Sequence, residues 1–185
     1  MVNKFYCSIS IMLLCFSIQS LAQTKIYRTN NGEISFFSET PIENIDAYSE
    51  SMSSAINPVN KDVAAVVLIT SFKFKNALMQ EHFNEKYLES DKYPKATFAG
   101  VINEDIDFKK PGSYKITVTG KLTLHGVEQK RTINGLLTID PNLKLKMKSD
   151  FTIKLVDHKI EVPQLVVTKI AETIRISIIA EYELK

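Results

Sequence analysis

Residues 143–155, LKLKMKSDFTIKL, alternate apolar and polar positions: Leu143, Leu145, Met147, Phe151, Ile153 and Leu155 take one parity, and Lys144, Lys146, Lys148, Asp150, Thr152 and Lys154 the other. Successive side chains of an extended chain point to opposite faces, so this period of two predicts a strand with one dry face. The same alternation runs through 114–124, where Tyr114, Ile116, Val118, Leu122 and Leu124 face one way, and it returns in 174–184. Val66, Leu68, Phe72 and Phe74 share a parity within 63–74, as do Ile34 and Phe36 within 32–38. Long half-wet strands leave edges that need partners. Closing an antiparallel sheet into a barrel removes those edges, and the fold class expected is all-β, an antiparallel β-barrel.

Turn residues divide the rest. Asn30-Asn31-Gly32 separates short strands over 25–28 and 32–38, and the strand over 45–56 stops before Asn57-Pro58. Residues 63–74 read as one strand. In 76–89 the spacing changes: Leu78, Met79, Phe83, Tyr87 and Leu88 recur at helical intervals, which predicts one short helix or two helical turns. Strand resumes over 96–102 and a loop spans 104–112. A meander follows, with strands 113–124, 127–140 and 143–155 joined at His125-Gly126 and Pro141-Asn142. Residues 157–164 read as irregular or a short edge element, 166–172 as holding a helical turn, and 173–184 as the last strand. The sum is about eight or nine strands with a short helical insertion.

Residues 1–22 carry a charged start at Lys4, an apolar run and small residues at Ser20 and Ala22, the pattern of a signal peptide, leaving 23–185 as one domain. Export to the periplasm or outside the cell is the expectation. Both cysteines, Cys7 and Cys15, fall in this leader, so thiol and disulfide chemistry are not expected beyond it. Removing Lys4 takes the formal net charge from +2 to +1, which is no nucleic-acid footprint. The lysines of 143–155 read as a solvated strand face, and a peripheral membrane contact is the alternative.

Chemistry-bearing residues are sparse. His82, His125 and His158 lack metal-ligand spacing, no Gly-x-Ser-x-Gly elbow occurs, and Glu81, Glu85, Glu89 and Asp91 lie along the helical segment and its end. His125 at a turn and His158 at a strand end read as ordinary exposed polar residues. No catalytic residue, metal ligand or cofactor is expected, and the protein does not read as an enzyme. An eight-stranded barrel is either filled by side chains or holds one small ligand, and parity does not separate the two. Small inward residues, Gly120, Gly135, Ser149 and Ala180, mark either open space or strand bending. The helical segment is either a lid or a plug.

Four ordered blocks carry a resemblance: HFNEKYLESDKYPKATFAG at 82–100, GKLTLHGV at 120–127, FTIKLVD at 151–157, and IEVPQL at 160–165 running into KIAE at 169–172. In these the chain closely resembles the YceI-like family of secreted bacterial proteins. The resemblance implies a lipocalin-like barrel with a helical segment over one side, and an interior that binds a polyisoprenoid or other long-chain lipid. It implies carriage rather than catalysis. The ligand-lining set expected is Ile34, Phe36, Leu68, Phe72, Phe74, Met79, Phe83, Tyr87, Phe98, Val118, Leu122, Phe151, Ile153, Ile176 and Ile178. The alternative is a packed barrel serving as an interaction or stress-response module without bound lipid.

Overall fold

The computed structural model describes residues 25–42, 44–162 and 170–185. The leader read in 1–22 and most of the helical turn read in 166–172 lie outside the described residues. In chain order the elements are β1 (Tyr27–Glu39), β2 (Asn44–Ile56), β3 (Asp62–Leu68), β4 (Lys73–Phe74), α1 (Ala77–His82), β5 (Lys95–Ile102), β6 (Gly112–Leu124), β7 (Val127–Ile139), β8 (Leu145–Lys154) and β9 (Thr173–Leu184). Every pairing is antiparallel, in the order β1-β9-β8-β7-β6-β5-β3-β2, and β1 pairs back onto β2 to close an eight-stranded barrel. The short β4 is a ninth strand laid on the start of β2, where Phe74 pairs with Ala47.

Two elements differ from the alternation read along the chain. The two strands expected over 25–38 are one, Tyr27–Glu39: β1 carries register shifts between Thr29 and Gly32 and between Gly32 and Ile34. A bulge there inserts residues without ending the ladder, and the Thr29 hydroxyl donates to Asn31 Oδ1 at 2.8 Å. Residues 63–74 are not one strand. A 3₁₀ turn, Ile69–Ser71, interrupts them and resets the alternation. Before the turn Val63 and Val67 are buried, and Leu68 is 54% exposed. After it Phe72 is buried again. Leu68 therefore faces solvent and does not line the interior, because a parity counted back from Phe72 is invalid across a turn of different period.

The inward faces of the strands build layers. On β8 the order is Ile153, Phe151, Ser149, Met147, Leu145; on β9 it runs Ile174, Ile176, Ile178, Ala180, Tyr182. At the Leu145 and Tyr182 end the barrel is solid. Ile56, Ile102, Leu137, Leu145 and Tyr182 are all at most 1% exposed, and Phe108 stacks on Tyr27 below them. The Tyr182 hydroxyl donates to Ser54 Oγ at 3.0 Å, and Ser54 donates onward to the Ala64 carbonyl at 2.8 Å. Burial pushes the Tyr182 phenol up to about 12. Gly100 and Gly120 are partners across β5 and β6, each lying under the Phe98 ring, and a side chain on either would strike the other strand's backbone. Among the described residues no helix is long and apolar enough to cross a membrane.

Candidate functional site

The other half of the barrel is hollow. A cavity of about 450 Å³ opens at the end where β1 and β8 finish, walled by Phe36 of β1, Phe72, Phe74, Leu122 and Leu124 of β6, Phe151 and Ile153 of β8, and Ile174 and Ile176 of β9. The inward parity of four strands makes these walls, so the apolar character follows from the same period of two that forms the sheet. Ser38, Asn76 and His82 are the main polar side chains at its edge. Ser38 is already engaged, accepting from the Ala171 backbone N–H at 2.9 Å. Deeper along the axis lies a second void of about 90 Å³, bounded by Met52, Val63, Ala65, Phe98, Val118, Met147 and Ile178. Gly135 and Ser149 border this inner void, as small inward residues do when they leave space. Gly120 and Ala180 do not: the first serves the close approach of two strands, and the second is a packed core residue 1% exposed.

A helical segment covers the outer cavity. Asn76 caps α1, its side chain accepting from the Leu78 N–H at 2.9 Å, and a π turn, Phe83–Tyr87, follows directly. None of the α1 side chains is fully buried, and Leu78 is 55% exposed. What seats the segment is Phe83. Its ring lies 5.4 Å from Phe36, 5.7 Å from Phe72 and 5.0 Å from Phe74, so one residue of the lid meets three rings of the barrel wall. Tyr87 and Met79 complete the cover, and burial raises the Tyr87 phenol.

Polar contacts fasten the far end of this cover. Glu89 Oε2 stands 2.7 Å from His125 Nε2, and His125 Nδ1 lies 3.1 Å from the His158 carbonyl, while Tyr93 meets the imidazole edge-on at 4.6 Å. Glu89 and His125 both sit at positive φ, and Gly126 beside them leaves room for the Tyr93 ring. Arg131 pairs with Asp157 at 2.9 Å, and His158 Nδ1 donates to the Val127 carbonyl at 3.2 Å. The two histidines read as exposed are thus inside the clasp: His158 is 0% exposed, with Nε2 lacking a partner among the described residues. Burial holds the His158 imidazole below its ordinary value of 6.5, helped by the Arg131 charge. Local sequence carries no sign of this, because loops from three distant parts of the chain supply the burial. Among the described residues no three His, Cys, Asp or Glu side chains are grouped to hold a metal ion.

Of the residues expected at a ligand, Ile34, Phe36, Phe72, Phe74, Met79, Phe83, Tyr87, Leu122, Phe151, Ile153 and Ile176 border the outer cavity. Phe98, Val118 and Ile178 border the inner one. Leu68 touches neither. Val67, Ile69, Leu88, Ile160 and Ile174, outside the expected set, also line the outer cavity. Ile174 and Leu88 belong to the periodic sets already read, whereas Ile69 follows a phase slip and Ile160 lies in irregular chain with no period to mark it.

Against protein-family models, residues 17–182 match the YceI-like domain. No curated protein sequence matches the chain. Among solved structures, the chain is similar to a polyisoprenoid-binding domain from Saccharophagus degradans implicated in plant cell wall breakdown, at TM-score 0.74 and 15% identity, covering 86% of this chain and 98% of that one. It is similar to Burkholderia cenocepacia BcnA at TM-score 0.68 and 17% identity, over 82% and 96% of the two chains. A Campylobacter jejuni YceI protein matches at 0.61 and 20%, over 80% and 88%. At these identities the likeness is one of fold.

Proposed function

The chain belongs to the YceI-like family, and from that premise we propose that it is an exported binding protein that sequesters or carries a polyisoprenoid or other long-chain lipid in its barrel. The observation that carries this reading is the apolar cavity of about 450 Å³ under the helical cover. A void of that size falls within the range of small-molecule pockets, and its walls suit hydrocarbon. Each CH₂ moved from water into it contributes about 0.8 kcal/mol, so affinity needs few polar contacts. The polyisoprenoid named for the Saccharophagus domain makes that lipid class the first to test.

Carriage is favoured over catalysis by where the ionisable groups sit. His125 and His158 are held in the clasp by protein partners, and His82 at the cavity edge has Lys86 Nζ 3.1 Å from its Nε2. The export part of the reading rests on the leader pattern in residues 1–22.

Mass spectrometry of an organic extract from natively purified protein tests the proposal, with Phe151→Asp as the control, since Phe151 borders both voids. A stoichiometric long-chain lipid in the native extract and none in the variant is the expected result. A clean extract from folded native protein that also fails to take up added lipid would refute it and favour the packed interaction module.

A further inference from the structure

The outer and inner voids share five wall residues, Ile34, Val67, Ala96, Leu122 and Phe151, which places the two voids next to each other along the interior. Past the inner void the same inward faces continue into solid core. One inward step beyond Val118 is Ile116 at 2% exposure, and one beyond Ser54 is Ile56 at 0%. Along the axis the interior therefore runs from a wide covered end, past these shared residues, to a smaller void with packed core beyond it.

We propose that this chamber gauges chain length: the protein encloses a single lipid chain of up to about twenty carbons with its tip in the inner void, and leaves the remainder of any longer chain outside. The size follows from packing. A dry apolar cavity of about 150 Å³ holds one benzene, or about 25 Å³ per carbon. At that density the outer void takes about eighteen carbons and the inner one, about 90 Å³, about three or four more. Carbons beyond the floor have no apolar wall to meet, so they add nothing to affinity.

The inference rests on the lipid reading of the same cavity. It sharpens that reading by naming residues that set specificity. Ala65 borders the inner void and pairs across β5 with Phe98. Leucine at this position adds three carbons, about 75 Å³ at the same density, which nearly fills the pocket. Met52, on the neighbouring strand β2, also borders this void and is 2% exposed.

The experiment is displacement of a bound fluorescent fatty acid by straight-chain primary alcohols lengthened stepwise past the expected limit. Affinity should climb by up to about fourfold per carbon and level off near about twenty carbons. In Ala65→Leu the levelling should come about three carbons earlier, with the ligand-free protein no less resistant to urea. In Met52→Ala it should come later. An affinity that rises without a break, or a break that neither variant moves, overturns the gauge while leaving lipid binding intact. If no alcohol of any length competes and the probe itself does not bind, the lipid reading beneath it fails.

Discussion

Phe83→Ala separates the cover from the barrel. Phe83 makes three ring contacts, at 5.4, 5.7 and 5.0 Å, and α1 contributes no fully buried side chain of its own. Aromatic pairs are each worth about 0.5–1.5 kcal/mol beyond their buried area, and the lower figure suits a half-buried ring beside a void. Adding about 1.5 kcal/mol for the apolar surface of that half-buried ring gives about 3 kcal/mol for seating the segment. At 1.4 kcal/mol per tenfold this is about a hundredfold change in the opening equilibrium. The assay is native-state hydrogen exchange. The Gln80 and Leu88 amides, bonded to the Asn76 and Phe83 carbonyls at 3.1 and 2.9 Å, should exchange about a hundredfold faster. The Val118 region of β6 should keep its protection, because its ladder partners on β5 and β7 are untouched. Equal loss of protection in cover and barrel would refute the reasoning, since Phe83 would then belong to the global core. Unchanged exchange at residues 78–88 would refute it too, by showing that something else seats the segment.

Stability should fall with acid because of His158. Its folded pKa lies below the unfolded value of 6.5, so the unfolded state binds the proton first, and the stabilisation present above 6.5 is lost as pH falls from there through the folded pKa. Urea midpoints across that window should slope upward with pH in the native protein and less so in His158→Gln; equal slopes would place the sensitivity elsewhere. Gly126→Ala places a side chain at φ +71, with its Cβ 2.5 Å from the Tyr93 ring, and should cost at least about 1–2 kcal/mol from the backbone alone; a urea midpoint within error of the native one would show that the clasp yields freely. Lys146→Ala breaks an exposed pair with Glu181 at 2.6 Å and should shift stability by less than about 1 kcal/mol. A larger loss in thermal melting would mean that the lysines of β8 do more than keep a strand face wet.

Much of the barrel is determined locally. The period of two in β6, β8 and β9 states which side chains are dry, and backbone geometry then permits only one assignment of faces. Hence Val118, Leu122, Phe151, Ile153, Ile176 and Ile178 all face the interior. Helical spacing in 76–89 likewise announces the cover, although its second half is a π turn. Parity fails where the chain leaves the strand. The 3₁₀ turn at Ile69–Ser71 puts Leu68 in water and Ile69 in the core, one residue apart in sequence. The division of one apolar interior into packed and hollow halves is set by tertiary structure alone. Leu145 and Ile153 look alike along β8. Whether space remains beside them depends on what seven other strands bring to the same height, Tyr182 and Leu137 at one end and a short cover resting on Phe83 at the other. The buried His158 has the same origin: the Val127 carbonyl that its Nδ1 meets and the Arg131 charge near it lie more than a strand away in sequence, and the tertiary fold brings them together.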